Sequence, residues 1–296
     1  MTYFGELVIN GVSLGFIYTL IALGFVVIYK ATEVINFAQG SMLLLGAYLV
    51  AQLHDRLGFV GALLVGIAAG AVGAFLIQYF LVRGRGRVDP TALTIITIGV
   101  DIVLASELNR RIGQQVLSFG APWGDQNANL GPFVVPQARV AAVAISVVLV
   151  IVFFLAFKFT SWGIATRATA EDGEAAALMG IRAGRVASVA WIVAGGLATL
   201  AGVFLGLSPS PGLTNTSNLT ALNAFPAVVV GGLDSTGGAV AGGVLIGVVQ
   251  SLVDGYNSQL SFLGQPLSEV SAYVVMLLVL LWRPSGLFGT REVARV

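Results

Sequence analysis

The residues best placed to do work in this chain form a polar island, Arg167 to Arg185, set between apolar runs at 140–157 and 186–207. It reads Arg167-Ala168-Thr169-Ala170-Glu171-Asp172-Gly173-Glu174-Ala175-Ala176-Ala177-Leu178-Met179-Gly180-Ile181-Arg182. Ala and Glu favour helix and Gly ends one at little cost, so Glu174, Ala175 and Ala176 followed by Gly180 predict a short helix with a stop. Glu171, Asp172 and Glu174 place negative charge near its N-terminal half, where the helix dipole favours it. A slim Ala-rich helix at a membrane surface fits a groove on a soluble partner. By composition alone, a solvated loop is the other reading.

Other chemistry is sparse. No Gly-x4-Gly-Lys-Ser/Thr loop is present to cradle a nucleotide. The absence of Cys removes disulfides, thiolate metal sites and cysteine nucleophiles together. The one histidine, His54, stands beside Asp55 and Arg56, and a lone loop His builds neither a metal site nor a triad. Arg83-Gly84-Arg85-Gly86-Arg87 reads as a basic membrane-surface loop, not a phosphate cradle. No cofactor is expected, and a net charge of +1 gives no case for nucleic acid. Asp101 lies within an apolar run, with Glu107 nearer its end. A charge there costs roughly 2.5–3.5 kcal/mol on the insertion scale, so Asp101 is expected to be protonated, paired or facing a wet cavity. A packing hydrogen bond to Thr97 or to another helix is the plain alternative to a pathway role.

The elements that position these residues are membrane spans. Of 296 residues, 57% are hydrophobic and only 10% charged, against roughly 25% charged in soluble domains. Mean hydropathy is +0.92. Crossing a ~30 Å hydrocarbon core takes about 20 helical residues. The runs predict an all-α, polytopic helical membrane protein with about 8–9 segments, near 6–29, 34–53, 59–82, 90–107, 139–158, 186–207, a short 222–233, 238–254 and 268–282. Met1 to Glu6 lacks the basic start of a cleavable signal, so 6–29 is expected to be a retained span. Residues 1–296 read as one transmembrane domain with a polar segment at about 160–185.

Short-loop Lys and Arg set orientation. With 158–185 inside, Lys30, Arg83, Arg85, Arg87, Lys158, Arg167, Arg182, Arg185, Arg283, Arg291 and Arg295 are cytoplasmic. Arg56, Arg110, Arg111 and Arg139 are outside, a division of eleven to four. A cytoplasmic C-terminus then needs 222–233 to count as a crossing, or another segment to be re-entrant. Two places depart from an ordinary span: Ile35-Asn36-Phe37-Ala38-Gln39-Gly40, and the Pro226-broken, glycine-ended stretch at 222–238. Irregular backbone at depth is tolerated only in a protein interior or along a water-filled cavity, and such breaks point to transport pathways. Asn36, Gln39, Asn223 and Phe225 are therefore the pathway candidates. Interfacial capping by Asn and Gly is the bland reading. Glycines four apart (Gly11/Gly15, Gly66/Gly70, Gly202/Gly206, Gly238/Gly242, Gly243/Gly247) predict close helix packing.

Four ordered blocks carry a resemblance. Asn10-Gly11-Val12-Ser13-Leu14-Gly15, Tyr18, Leu20-Ile21-Ala22 and Gly24 lead to Tyr29 and Ile35-Asn36-Phe37-Ala38 with Gly40. Arg167-Ala168, Ala170-Glu171-Asp172 and Gly180-Ile181 follow, then Asn223-Ala224-Phe225 with Val230-Gly231-Gly232, then Pro284-Ser285-Gly286-Leu287-Phe288-Gly289. In these blocks the chain resembles the permeases of branched-chain amino acid ABC importers nearly end to end. The resemblance implies a type II importer-like permease in a bacterial inner membrane. Its partners would be two ABC ATPase subunits, a second permease, related or identical, and an extracytoplasmic substrate-binding protein. It also implies that Arg167, Glu171, Asp172, Glu174, Ala175 and Gly180 couple to the ATPases. Gln39 replaces a frequent His, Pro226 interrupts the third block, and Asp234-Ser235-Thr236-Gly237-Gly238 replaces a more usual Gly-Ser/Asn-x-x-Gly run. The wider clan carries amino acids, urea and small carboxylates, so urea or a carboxylate stands as a second substrate reading. An ion-coupled transporter or channel using Asp101 is the reading from a different class. A membrane-embedded enzyme lacks its nucleophile, metal and acid/base cluster.

Overall fold

The computed structural model describes residues 2–82, 89–120, 122–124, 126–130, 133–207, 212–260 and 267–290. The basic run Arg83–Arg87, part of the 208–221 loop, and Arg291 and Arg295 lie outside the described residues.

The helices are α1 (Thr2–Thr32), α2 (Gln39–Ile77), α3 (Pro90–Ile112), α4 (Gln137–Phe159), α5 (Ser161–Glu171), α6 (Gly173–Leu178) and α7 (Ala183–Leu205). After them come α8 (Ser217–Leu222), α9 (Phe225–Gly231), α10 (Thr236–Gly255), α11 (Asn257–Leu260) and α12 (Leu267–Trp282). A short antiparallel ribbon, β1 (Asn127–Leu130) with β2 (Phe133–Pro136), precedes α4.

Among the described residues, six helical stretches are long and apolar enough to cross a membrane, and α12 is apolar but shorter. One of the six, Gln39–Phe80, spans 42 residues, about twice what a bilayer needs. Gly58 breaks it with φ 69 and ψ 164. A Cβ on Gly66 would meet the Gly46 carbonyl at 2.8 Å, although a straight helix would hold those residues about 30 Å apart. The two arms therefore fold back on each other at Gly58, and the runs at 34–53 and 59–82 are separate spans joined without a loop.

Close backbone contact holds the bundle together. On α1, a Cβ at Gly11 would stand 2.5 Å from the Val248 Cα, and one at Gly15 would stand 2.6 Å from the Val244 Cα. A Cβ on Gly247 of α10 would meet the Gly11 carbonyl at 2.6 Å. Gly70 and Gly195 bring α2 and α7 together in the same way, as do Gly231 and Gly238 for α9 and α10. Such approach suits a medium in which packing, not water exclusion, drives helix association. The most enclosed span is α1, with 83% of its apolar window buried, followed by α7 at 61%.

The two irregular stretches have different solutions. After α1, the residues before α2 run beside the first turns of α3. There the Ile35 amide donates to Thr94 Oγ1 at 3.3 Å, the Phe37 amide to Thr97 Oγ1 at 3.0 Å, and Thr97 Oγ1 donates to the Ile35 carbonyl at 3.2 Å. The second stretch becomes α8 and α9, parted at Asn223–Ala224 just before Pro226, whose missing N–H interrupts the ladder. Before α8, Leu213 pairs with Leu117 in the loop following α3. After α9, the Val230 and Gly231 carbonyls accept from Leu287 and Phe288 of the C-terminal segment. Asp234 accepts from the Thr290 amide and lies in electrostatic range of Lys30, at the same end as Arg167 and Glu171. The stretch from Leu213 to Asp234 thus carries the chain from one end of the bundle to the other as a broken crossing.

Substituting Gly15 by Val should lower the thermal unfolding midpoint of the purified protein by the equivalent of about 1–3 kcal/mol or more, because the opposing atoms are backbone. Gly99→Ala, where a Cβ meets nothing within 4 Å, should leave it unchanged.

Candidate functional site

The polar island folds as two capped helices, α5 packed against the ends of the bundle helices and α6 projecting from it. Thr160 caps α5 by accepting from the Gly163 amide at 3.2 Å. Asp172 closes α5 and opens α6, its Oδ1 accepting from Glu174 N at 3.0 Å and Ala175 N at 2.9 Å. The last turn of α6 ends at Gly180 with φ 84, and the Ile181 amide returns to the Ala176 carbonyl at 3.0 Å. Sequence dictates each feature: an Asx cap at the start, Ala through the middle, Gly where the backbone turns left-handed.

Arg167 faces the bundle. It donates to the Phe157 carbonyl and, at 3.2 Å, to the Lys158 carbonyl, and its guanidinium stacks 5.5 Å from the Phe157 ring. A cation on the last carbonyls of α4 is favourable on dipole grounds and fixes the angle between α4 and α5. Trp162 Nε1 donates to the Val186 carbonyl at 3.4 Å, tying α5 to α7 as well. Glu171, Asp172, Glu174, Ala175 and Gly180 are all exposed, and only Ala176 is buried. Two further residues matter at this tip. Leu178 is 89% and Met179 84% exposed, an apolar pair at the end of α6 where solvation gives no reason for one. The signal was present in the sequence as Leu-Met inside an otherwise polar or small-residue segment.

The pathway candidates divide. Asn36 and Gln39 are brought together and fully enclosed. Asn36 Nδ2 donates to Gln39 Oε1 at 3.4 Å, Gln39 Nε2 donates to the Ala194 carbonyl at 3.4 Å, and the Ala38 amide donates to Asn36 Oδ1 at 3.1 Å. They brace the start of α2 against α7. Asn223 lines a cleft of about 960 Å³ at the end of the bundle opposite α5 and α6. Phe225 is partly exposed and packs its ring 5.7 Å from Phe25 and 5.6 Å from Phe37. The three rings join the α8–α9 break to the irregular stretch before α2.

Asp101 has a definite task in this conformation. Its Oδ1 accepts from the Ser41 amide in the first turn of α2 at 3.1 Å. Thr94, Thr97 and Asp101 recur at the i, i+3, i+7 spacing of one helix face, so α3 satisfies the stretch before α2 with a single stripe. Glu107 pairs with Arg110 and Arg111 at 2.9 and 2.6 Å. His54 Nδ1 lies 2.9 Å from the Ala51 carbonyl. No cluster of three metal-ligating side chains occurs among the described residues.

A bundle of packed spans, broken crossings at depth and an exposed capped elbow at one end define a polytopic membrane permease. The chain matches the family model described as branched-chain amino acid transport system / permease component over residues 7–281, and it belongs to that family. It is 30% identical to the high-affinity branched-chain amino acid transport system permease protein LivH of Salmonella typhimurium, over 99% of this chain and 98% of that protein. It is 29% identical to the permease protein BraD of Pseudomonas aeruginosa, over 97% of this chain and 96% of that protein. Among solved structures, PsaBC from Streptococcus pneumoniae in complex with Fab is similar at a TM-score of 0.48 and 16% identity, covering 94% of this chain and 91% of that one.

Asp101→Asn keeps an acceptor for Ser41 and should hold thermal stability near wild type. Asp101→Leu leaves that amide unpaired and should cost about 1–3 kcal/mol, read as a lowered unfolding midpoint.

Proposed function

We propose that this chain is the membrane-spanning subunit of an ABC importer that moves branched-chain amino acids inward, driven by ATP hydrolysed on partner subunits. The observation that carries this reading is the elbow at 160–185. It is rigidly capped and bonded to α4 and α7, yet it presents an exposed acidic and small-residue face with Leu178 and Met179 at its tip. An apolar pair with its backbone held by caps is an anchor for a groove on another protein. The full-length likeness to LivH and BraD supplies the substrate class.

In this reading the α5–α6 end is cytoplasmic, with the C-terminus, and the membrane is a bacterial inner membrane. The distribution of Lys and Arg supports that orientation. Two ATPases grip the elbow of this chain and of a second permease, related or identical, while a binding protein delivers solute to the opposite face. ATPase closure moves Glu171, Asp172, Glu174, Ala175 and Gly180. Arg167, bonded to the end of α4, passes that motion into the bundle. Asn36, Gln39, Asn223 and Phe225 belong to the parts that rearrange, the first pair as a buried brace and the second along the cleft and ring cluster. The bond from Ser41 to Asp101 supports a structural task for that carboxylate over ion coupling.

The importer reconstituted with its ATPases and binding protein should accumulate L-leucine only with ATP. Leu178→Glu with Met179→Glu should cut that uptake at least about tenfold, the scale of one lost interface anchor, and reduce recovery of ATPase with the permease. Accumulation of leucine against its gradient by the purified chain alone, without nucleotide, would refute the reading. A faster uptake of urea or a small carboxylate than of leucine would move the substrate while leaving the class intact.

A further inference from the structure

The cleft opposite the elbow holds features that the importer reading does not use. Its volume, about 960 Å³, is at the upper end of the range for small-molecule pockets. One face of α1 lines it, with Asn10, Leu14, Ile17 and Tyr18 at helical spacing. Around them stand charged residues from three other helices. Arg139 comes from the first turn of α4, Asp254 from the last turn of α10, and Glu269 from the first turn of α12. Both signs of charge thus border one space. Arg139 is partly buried and donates to Asn10 Oδ1, which aims its guanidinium along the α1 face. Asp254 and Glu269 are exposed, and among the described residues neither enters an ion pair within the chain. Glu269 lies within electrostatic range of the Tyr18 hydroxyl, which Gln250 hydrogen-bonds deeper in the cleft.

Charge is expensive near hydrocarbon, and ionisable groups placed there face solute or one another. Leu14 and Ile17 lie one to two helical turns further along α1 from Asn10, so an apolar wall continues below the charged mouth. Asn223 lines the same cleft, and two residues further on Phe225 packs against the Phe25 and Phe37 rings. A space bordered by a guanidinium and carboxylates, with Leu14 and Ile17 further along its wall, suits one class of small molecule.

We infer that this cleft is a binding site in the permease itself for a zwitterion with an apolar tail. Arg139 takes the carboxylate, Glu269 and Asp254 take the ammonium, and Leu14 and Ile17 receive the tail. The inference rests on the importer reading for its direction of transport and goes beyond it in assigning selectivity to the permease as well as to the binding protein. Guanidinium–carboxylate contact is charge-assisted and geometrically selective, so an analogue lacking either charged group loses a strong contact.

The test is equilibrium binding of tritiated L-leucine to the assembled importer in nanodiscs without binding protein. Unlabelled L-leucine should displace it, while 4-methylpentanoate and 3-methylbutylamine, each missing one charged group, should need at least about tenfold more. Glu269→Gln and Arg139→Lys should each weaken leucine binding by at least about tenfold. Glu269 is exposed, so its variant keeps the test valid if the Arg139 variant fails to assemble. Displacement by both analogues as readily as by leucine would overturn the site, as would wild-type affinity in the double variant Glu269→Gln, Asp254→Asn. Failure of the wild-type complex to bind L-leucine, L-proline or L-phenylalanine would also overturn it. Binding of L-proline or L-phenylalanine without leucine would uphold the zwitterion site and remove the branched-chain reading. Leucine import with unchanged kinetics in every variant would do the reverse.

Discussion

In hydrocarbon no water is available for a loose amide, and this constraint organises the molecule around one stripe of α3. The backbone between α1 and α2 leaves the helical ladder while still enclosed, and each unmade bond there would cost several kcal/mol. Thr94, Thr97 and Asp101 supply acceptors to Ile35, Phe37 and Ser41 in order along the stretch. Because that backbone is held, α2 can begin at Gln39 with its side chain against Ala194 of α7. From there the first arm of α2, the reversal at Gly58 and the return arm against α7 all follow. A carboxylate at the N-terminal turn of a helix is also where its charge is best tolerated.

Glycine provides the complementary half. Once polar backbone is satisfied, helices in lipid associate through dispersion contacts that need short separation. The Gly11 and Gly15 face of α1 meets Gly243 and Gly247 of α10 so closely that a methyl group would strike main chain. This makes α1 a buried post with α10 on one side and α7 on another. The cleft lies along the N-terminal part of that post, and Lys30 ends its other part near Asp234, Arg167 and Glu171. The cleft and the elbow, the two regions to which function is proposed, therefore share one closely packed element.

Much of this was legible in the chain because it is carried by local pattern. Span lengths, the Gly pairs, the breaks at 35–40 and 222–238, and the capped helix after Asp172 follow from residue type and spacing. What was not legible depends on where distant segments meet. Asn36 and Gln39 have the composition of pathway residues, yet they are enclosed, because Ala194 of α7 and the Gln39 amide close over them. Arg139, Asp254 and Glu269 stand more than a hundred residues apart at their extremes and look like ordinary span-end charges until three helix ends gather them at one cleft. Leu178 and Met179 are an ordinary apolar pair for a membrane protein until their exposure is known.

The mechanical consequence follows from how the elbow is fastened. Arg167 binds two carbonyls at the end of α4, Trp162 binds a carbonyl at the start of α7, and Glu171 stands near Lys30 at the end of α1. A push that reaches α5 is thus shared among three spans. The α8–α9 crossing is the weak member, since Pro226 removes a ladder bond and Gly232 turns at φ 105. Its end is stitched to the C-terminal segment through Val230, Gly231 and Asp234, at the same face as the elbow. Force arriving there meets a crossing already divided into two pieces, one carrying Phe225 in the ring cluster. In the proposed permease, relative motion of α8 and α9 parts the three rings while the glycine-packed post of α1 and α10 stays fixed.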